Sequence, residues 1–231
     1  MDQAMNQNTE FVVTKANALI QSSYRLTLNE QRLVLLCVAQ LDSRKPLPKD
    51  NLFTVTASDF ADVYGTESNS YRDLEEAATT LGERWIRTHD GKNRTKFRWV
   101  YYVQYHDTEG KVTLGFSPTI SPYLTMLHQK FTSYHLENIA GLRSSYSVRL
   151  YEFMMQFKST GKFVVSVDDF KSWLELDDAY SRFSDLKRRV INPAVKELMA
   201  KSNMVIEWEG IRMGKTVTRL EFRFREIDSN G

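Results

Sequence analysis

Along the chain, apolar residues first recur with a helical period in LTLNEQRLVLLCVAQLD, where positions 33, 36, 37 and 41 share a stripe and Thr27 or Asn29 offers an N-cap. After the polar stretch SRKPLPKDN, the phrase FTVTASDFADVYG alternates like a short strand and then shifts to a helix start. The same phrase returns as FVVSVDDFKSWLEL, so that Phe53 matches Phe163, Val55 matches Val165, Thr56 matches Ser166, Asp59 matches Asp169 and Phe60 matches Phe170. The likeness extends outward. QRLVLLCVAQL upstream parallels VRLYEFMMQF, and YRDLEEAATTL downstream parallels FSDLKRRVINPAV. Each long helix is then followed by alternating strands around a polar turn, ERWIRTHDGKNRTKFRWVYYVQY in the first half and MVIEWEGIRMGKTVTRLEFRFR in the second.

Each half therefore predicts helix, short strand, helix, turn, longer helix and β-hairpin. That is the order of a winged helix, in which the second helix of the turn enters a major groove and the hairpin lies along the backbone. The expected architecture is α+β, with tandem winged-helix domains related by internal duplication. The boundaries expected are a flexible N-terminus at 1–10, a first domain at 11–127 and a second, principal DNA-reading domain at 128–231. Between the halves, SPTISPYLTMLHQKFTSYHLENIAGLRSS carries two prolines among many apolar residues. It reads as ordered segments packed on both domains, which holds them in fixed relation.

EGIRMGKT superficially resembles a phosphate-binding loop, yet Gly210 and Gly214 enclose only three residues and both flanks are strand-like. Nucleotide binding needs four intervening residues and a following helix, so the stretch reads as the tip of the second wing, carrying Arg212 and Lys215.

Charge separates the two halves. The whole chain has a formal charge of only +2, but residues 181–225 hold eleven basic residues against five acids. In the corresponding first-half helix, 67–83, five acids face Arg72 alone. A helix with DLKRR can neutralise phosphates and present guanidinium forks to guanine edges, whereas DLEEA would repel a duplex. On a helical projection Leu186 and Val190 face inward, Ser184 and Arg188 point nearly opposite, and Lys187 and Arg189 flank them. Arg188 is the first choice for a base contact; the alternative is that KRR is simply a solvated face. Pro193 is expected to kink or divide the helix. In the first hairpin, Lys92, Arg94, Lys96 and Arg98 flank an Asp-Gly turn, either touching phosphate or forming a solvated loop.

Composition narrows the function classes. Hydrophobic residues at 42% and charged residues at 26% describe an ordinary globular chain. Cys37, inside LVLLCVAQL, is expected to be a buried hydrophobe in a reducing compartment. The N-terminus lacks a secretory pattern and no apolar run is long enough to span a bilayer, so a cytoplasmic location without membrane association is expected. His89, His106, His128 and His135 form no His-apolar-His pair, and none stands near Cys37 at ligand spacing. No metal, no cofactor and no enzymatic strand nicking are therefore expected, and Tyr101 and Tyr102 read as ordinary strand aromatics. The run 33–41, extended, is uncharged and proline-free, which makes it an aggregation hazard if exposed; as a helix it is core.

From NALIQSSYRLTLNEQRLVLL through FTSYHLENIAGLRSSYSVRLYEFMMQF to LKRRVINPAVKEL and TVTRLEFRFRE, the chain resembles the iteron-binding replication initiator proteins of bacterial plasmids. The central phrase is the most specific, with Ser145-Tyr146-Ser147 and Arg149-Leu150-Tyr151-Glu152 in the family's order. The resemblance implies two winged-helix domains, monomers bound to direct repeats in an origin, and a dimer joined through the first domain that represses its own gene at an inverted repeat. It also implies host replication proteins and chaperones as partners. Carried over, Arg182, Lys187, Arg188 and Arg189 enter the major groove while the first hairpin and second wing track the backbone. Two other readings stand beside it: a tandem winged-helix repressor without origin activity, and a protein-interaction module, which the basic second helix disfavours.

Overall fold

The computed structural model describes residues 11–65, 70–89 and 91–227, so the expectations for 1–10, for Glu67 and for Asp90 lie outside the described residues. In chain order the elements are β1 (Val12–Ala16), α1 (Asn17–Ile20), α2 (Leu28–Ala39), β2 (Leu52–Thr56), α3 (Ala57–Tyr64), α4 (Ser70–Leu81), β3 (Trp85–His89), β4 (Arg94–Arg98), β5 (Val100–His106) and β6 (Lys111–Phe116). Then follow α5 (Ser121–Leu124), β7 (Phe131–His135), α6 (Glu137–Ala140), α7 (Ser145–Met155), β8 (Lys162–Ser166), α8 (Val167–Trp173), α9 (Phe183–Leu186), a π-helical turn (Lys187–Ile191), α10 (Asn192–Lys201), β9 (Met204–Met213) and β10 (Thr216–Glu226).

The repeated phrase has a local cause. Each copy is a strand whose last residue caps the following helix: the Thr56 hydroxyl accepts from the Asp59 backbone N–H at 3.0 Å, and the Ser166 hydroxyl from the Asp169 N–H at 2.9 Å. Asp59 also accepts from the Thr56 N–H at 3.1 Å, which completes a capping box. One turn further on, Phe60 and Phe170 are buried in their respective domains. The pairing repeats as well. β2 pairs with β6 and β6 with β5, while β8 pairs with β10 and β10 with β9, all antiparallel, so Phe53 lies opposite Leu114 and Phe163 opposite Phe222. Two winged helices of one topology result.

The structure corrects the expected equivalence of the hairpins. The run ERWIRTHDGKNRTKFRWVYYVQY holds three strands, and the first two, β3 and β4, form a two-stranded sheet of their own, with a single further bridge from Arg87 to Ser23. The wing of the first domain is β5–β6, whose turn spans 107–110; the β3–β4 hairpin has no counterpart among the described residues of the second domain. Periodicity could not separate these alternatives, because which strand pairs with β2 depends on contacts some sixty residues away in the chain. A bulge between Val100 and Tyr102 also breaks the alternation of β5, so that Tyr101 and Tyr102 are both exposed.

Helix α2 starts with a reciprocal cap, Thr27 N–H to Glu30 Oε2 at 2.7 Å and Glu30 N–H to the Thr27 hydroxyl at 3.2 Å. The predicted stripe understates its burial. Every residue from Glu30 to Val38 is buried, since β1, β2, α3 and α4 surround the helix. Glu30 is tolerated there because Arg84 Nε donates to both its carboxylate oxygens at 2.9 and 3.0 Å. Cys37 is buried and free, and burial pushes its thiol pKa up.

The segment between the halves is ordered and joins both. β7 pairs antiparallel with β1, and α7 runs through the centre of the molecule with Ser147, Arg149 and Glu152 buried. Arg149 Nη2 donates to the carbonyls of Ile20, Ser22 and Trp173 at 2.9, 3.1 and 3.2 Å, and its guanidinium lies 3.8 Å from the Tyr24 ring centroid. Glu152 accepts from Lys15 Nζ and from the Tyr134 hydroxyl, each at 2.7 Å. Burial alone would raise the Glu152 pKa, but the charges of Lys15 and Arg149 with these hydrogen bonds outweigh it and hold the carboxyl below its usual range. Burial lowers the Lys15 ammonium pKa against the opposing pull of Glu152. The phrase SYSVRLYE thus supplies the polar centre that binds β1, β7, the segment 20–24 and the end of α8 together.

Candidate nucleic-acid interface

The basic helix is continuous from 183 to 201 but changes hydrogen-bond register midway. Pro193 has no N–H to give to the carbonyl four residues back, and its ring crowds that carbonyl. The helix relieves this by widening into the π turn, in which the Asn192 N–H reaches back five residues to the Lys187 carbonyl. In place of the expected kink or division at Pro193, the helix runs on through a π turn.

That turn carries the charge. Lys187, Arg188 and Arg189 are consecutive and all exposed, between Leu186 and Val190, which are buried in the core. Arg182 and Ser184, one turn earlier, are exposed too. Arg188 Nη2 bonds Asp185 Oδ1 at 2.8 Å, yet the side chain remains 70% exposed, so the pair is a weak surface one that a phosphate or base edge could displace. Lys187 Nζ sits 5.4 Å from the ring centroid of Trp208, which in turn stacks on Phe222 at 6.0 Å.

β9 and β10 form the wing. Its turn is made by Gly214, at φ 62°, and Arg212 Nη1 donates to the Lys215 carbonyl at 3.2 Å across the tip. Both cations are exposed, and Met213 between them is 76% exposed. A Cβ on Gly210 would approach Val217 Cγ1 to 2.8 Å, so any larger residue here has to displace that methyl from between the two strands. Helix and wing enclose a groove of 410 Å³ lined by Lys187, Asn192, Trp208 and Arg212. Asn192 and Trp208 were not singled out from the sequence; an asparagine beside a proline and a tryptophan in an alternating strand carry no signal until the helix and wing meet.

The first-hairpin residues lie elsewhere. Cross-strand register sets Trp85 opposite Arg98, Arg87 opposite Lys96 and His89 opposite Arg94, so these six side chains share one face, while Ile86 and Phe97 enter the core from the other. Trp85 lies between Lys96 Nζ, 4.1 Å from its centroid, and the Arg98 guanidinium at 4.0 Å. Lys92, Arg94 and Lys96 are exposed, and Arg94 and Lys96 line a 1190 Å³ cleft whose opposite wall includes Asp169, Asp177 and Asp178 of the second domain. None of the three borders the groove between helix and wing. Among the described residues, no group of three or more His, Cys, Asp or Glu is placed to hold a metal ion, and no helix is long and apolar enough to cross a membrane.

This architecture matches known proteins. The initiator replication protein family matches in two parts, its first winged-helix region (WH1) over residues 12–155 and its second (WH2) over residues 166–224. A replication initiation protein of Escherichia coli is 34% identical over 206 residues, covering 85% of this chain; the chain spans 64% of that relative's length. The PI protein of Escherichia coli is 28% identical over 259 residues, covering 95% of this chain and 84% of the relative. Among solved structures, that of the Pi initiator protein in complex with iteron DNA superposes with a TM-score of 0.82 at 25% identity, covering 96% of this chain and all of that one. With both family regions in order on a duplicated winged helix, the chain belongs to the initiator replication proteins built from two winged-helix domains.

Proposed function

We propose that the protein is a plasmid replication initiator that binds the direct repeats of its origin, iterons, as a monomer, with the second domain as principal reading head. The observation that carries this is the row of consecutive exposed cations, Lys187, Arg188 and Arg189, at the π turn of a helix whose buried neighbours anchor it in the core. Arg188 reads a base edge, Arg182, Ser184, Lys187 and Arg189 contact the groove walls, and Arg212 and Lys215 track the adjacent backbone. From the first domain, Lys92, Arg94 and Lys96 add phosphate contacts. The likeness to an initiator solved on iteron DNA supports this reading. Dimers joined through the first domain repress the protein's own gene at an inverted repeat, and host replication proteins and chaperones act on the monomer–dimer balance.

The test is selection from a pool of random duplexes at moderate salt. Two unequal heads in one monomer select a non-palindromic site of roughly two helical turns. A strictly palindromic site would leave only a repressor, and no enrichment would return the basic helix to being a solvated face.

A further inference from the structure

Three contacts from the first domain and the central helix converge on one short stretch of the second domain, residues 172–175. The Ser23 hydroxyl donates to the Ser172 carbonyl at 2.6 Å. Arg149 Nη2 donates to the Trp173 carbonyl at 3.2 Å. Arg87 pairs with the carboxylate of Glu175, which is itself held at φ 51°, a left-handed conformation uncommon for a residue with a side chain. Ser23 and Arg87 are tied to each other by two backbone bonds of 2.9 Å, Ser23 N–H to the Arg87 carbonyl and Arg87 N–H to the Ser23 carbonyl.

Residues 172–173 are the end of α8, the first helix of the turn that leads into the basic helix. The last carbonyls of a helix have no partner within it and carry partial negative charge. Here the Ser172 carbonyl accepts from the Glu175 N–H at 3.1 Å, and both it and that of Trp173 receive donors from outside the second domain's winged helix, one of them a buried guanidinium. The β3–β4 hairpin that brings Arg87 to this point is the element without a counterpart among the described residues of the second domain, so its role cannot be that of a duplicated wing.

We infer that Ser23, Arg87 and Arg149 form a cap on α8 that fixes the distance and rotational phase between the two winged helices, and thereby the spacing of the two contacted segments within the DNA site. These are positioning residues: none needs to touch DNA. The inference rests on the reading that both domains engage one duplex. If the heads are rigidly phased, inserting base pairs between the segments rotates one away from its head by roughly 34° per pair, and the gain from simultaneous engagement is lost.

The experiment uses the full chain and the duplex selected from the random pool, compared with the same duplex carrying a two-base-pair insertion and with a duplex keeping only the second domain's segment. The parent loses about tenfold or more in affinity on insertion. S23A, R87Q and E175Q cut that penalty to about threefold or less while binding the short duplex like the parent, and the charge swap R87E/E175R restores it. R149K keeps the charge without the forked geometry and behaves like R87Q. In the free protein, nitroxides at positions 72 and 199 report a single narrow distance for the parent and a broad one for R87Q. An insertion penalty unchanged in S23A, R87Q and E175Q overturns the inference, as does a distance that stays narrow in all of them. If R87Q weakens the short duplex as well, the swap decides: its failure to restore the spacing penalty counts against the cap. A parent that binds no duplex removes the proposed function, and the distance measurement then judges the coupling alone.

Discussion

Replacing Glu152 by glutamine removes one negative charge from a site where Lys15, Arg149 and Glu152 have side chains only 4%, 3% and 1% exposed. Lys15 Nζ is 2.7 Å and Arg149 Nη1 3.6 Å from the carboxylate, so the change leaves two buried cations facing each other without a counter-ion. Breaking a buried pair from one side costs about 3–5 kcal/mol, because the remaining charge keeps its desolvation penalty. For a chain of this size that is a fall in Tm of about 10 °C. K15M is milder, since Glu152 then keeps Arg149 and the Tyr134 hydroxyl, and the double variant K15M/E152Q loses less than the sum of the singles. The assay is urea unfolding followed by circular dichroism for the four proteins of the cycle, repeated from pH 7 to pH 3. The sign with pH follows from the depressed Glu152 pKa. Its contribution is fully present above the unfolded glutamate value of about 4.3 and is lost as pH falls through the lower folded value. The parent therefore loses stability in that acid window and E152Q loses less. A cost for E152Q under about 1 kcal/mol, or strict additivity in the cycle, would refute the reasoning that the charges are mutually dependent.

Three further outcomes are expected. R188A, probed with duplexes mutated one position at a time, loses about 1–3 kcal/mol of discrimination at one or two base pairs, whereas K187Q weakens all duplexes alike and reduces the slope of affinity against salt by about one. G161A destabilises by about 1 kcal/mol or more in the same urea assay, because Gly161 sits at φ 62° and a Cβ would meet the Phe224 carbonyl oxygen at 2.7 Å. L36A, which empties part of a fully buried position in α2, costs about 2–5 kcal/mol; if segment 33–41 drives aggregation, the same variant forms fibres at lower temperature than the parent, measured by thioflavin fluorescence.

Local patterns made much of the fold legible. The duplicated strand-to-helix phrase is visible because a capping side chain, an acid three residues later and a core phenylalanine must recur wherever that junction is built. The basic triad stood out because a helix with Leu186 and Val190 inside leaves the intervening residues outside. The wing tip was readable from Gly214 between two alternating runs.

What the residues settled by themselves was whatever depends on near neighbours: caps, periods, turns and the imbalance of charge between 181–225 and 67–83. Only the tertiary structure decided which strands pair, and so that β5–β6 and not β3–β4 is the first wing, because alternation is the same for any partner. It alone decided that Arg149 and Glu152 are buried, since a charge on a helix looks solvated until another segment brings carbonyls or a counter-ion to it. And it alone brought Ser23, Arg87 and Arg149 to the end of α8, joining positions up to 149 residues apart in the chain, Ser23 and Ser172, through contacts that no local pattern encodes.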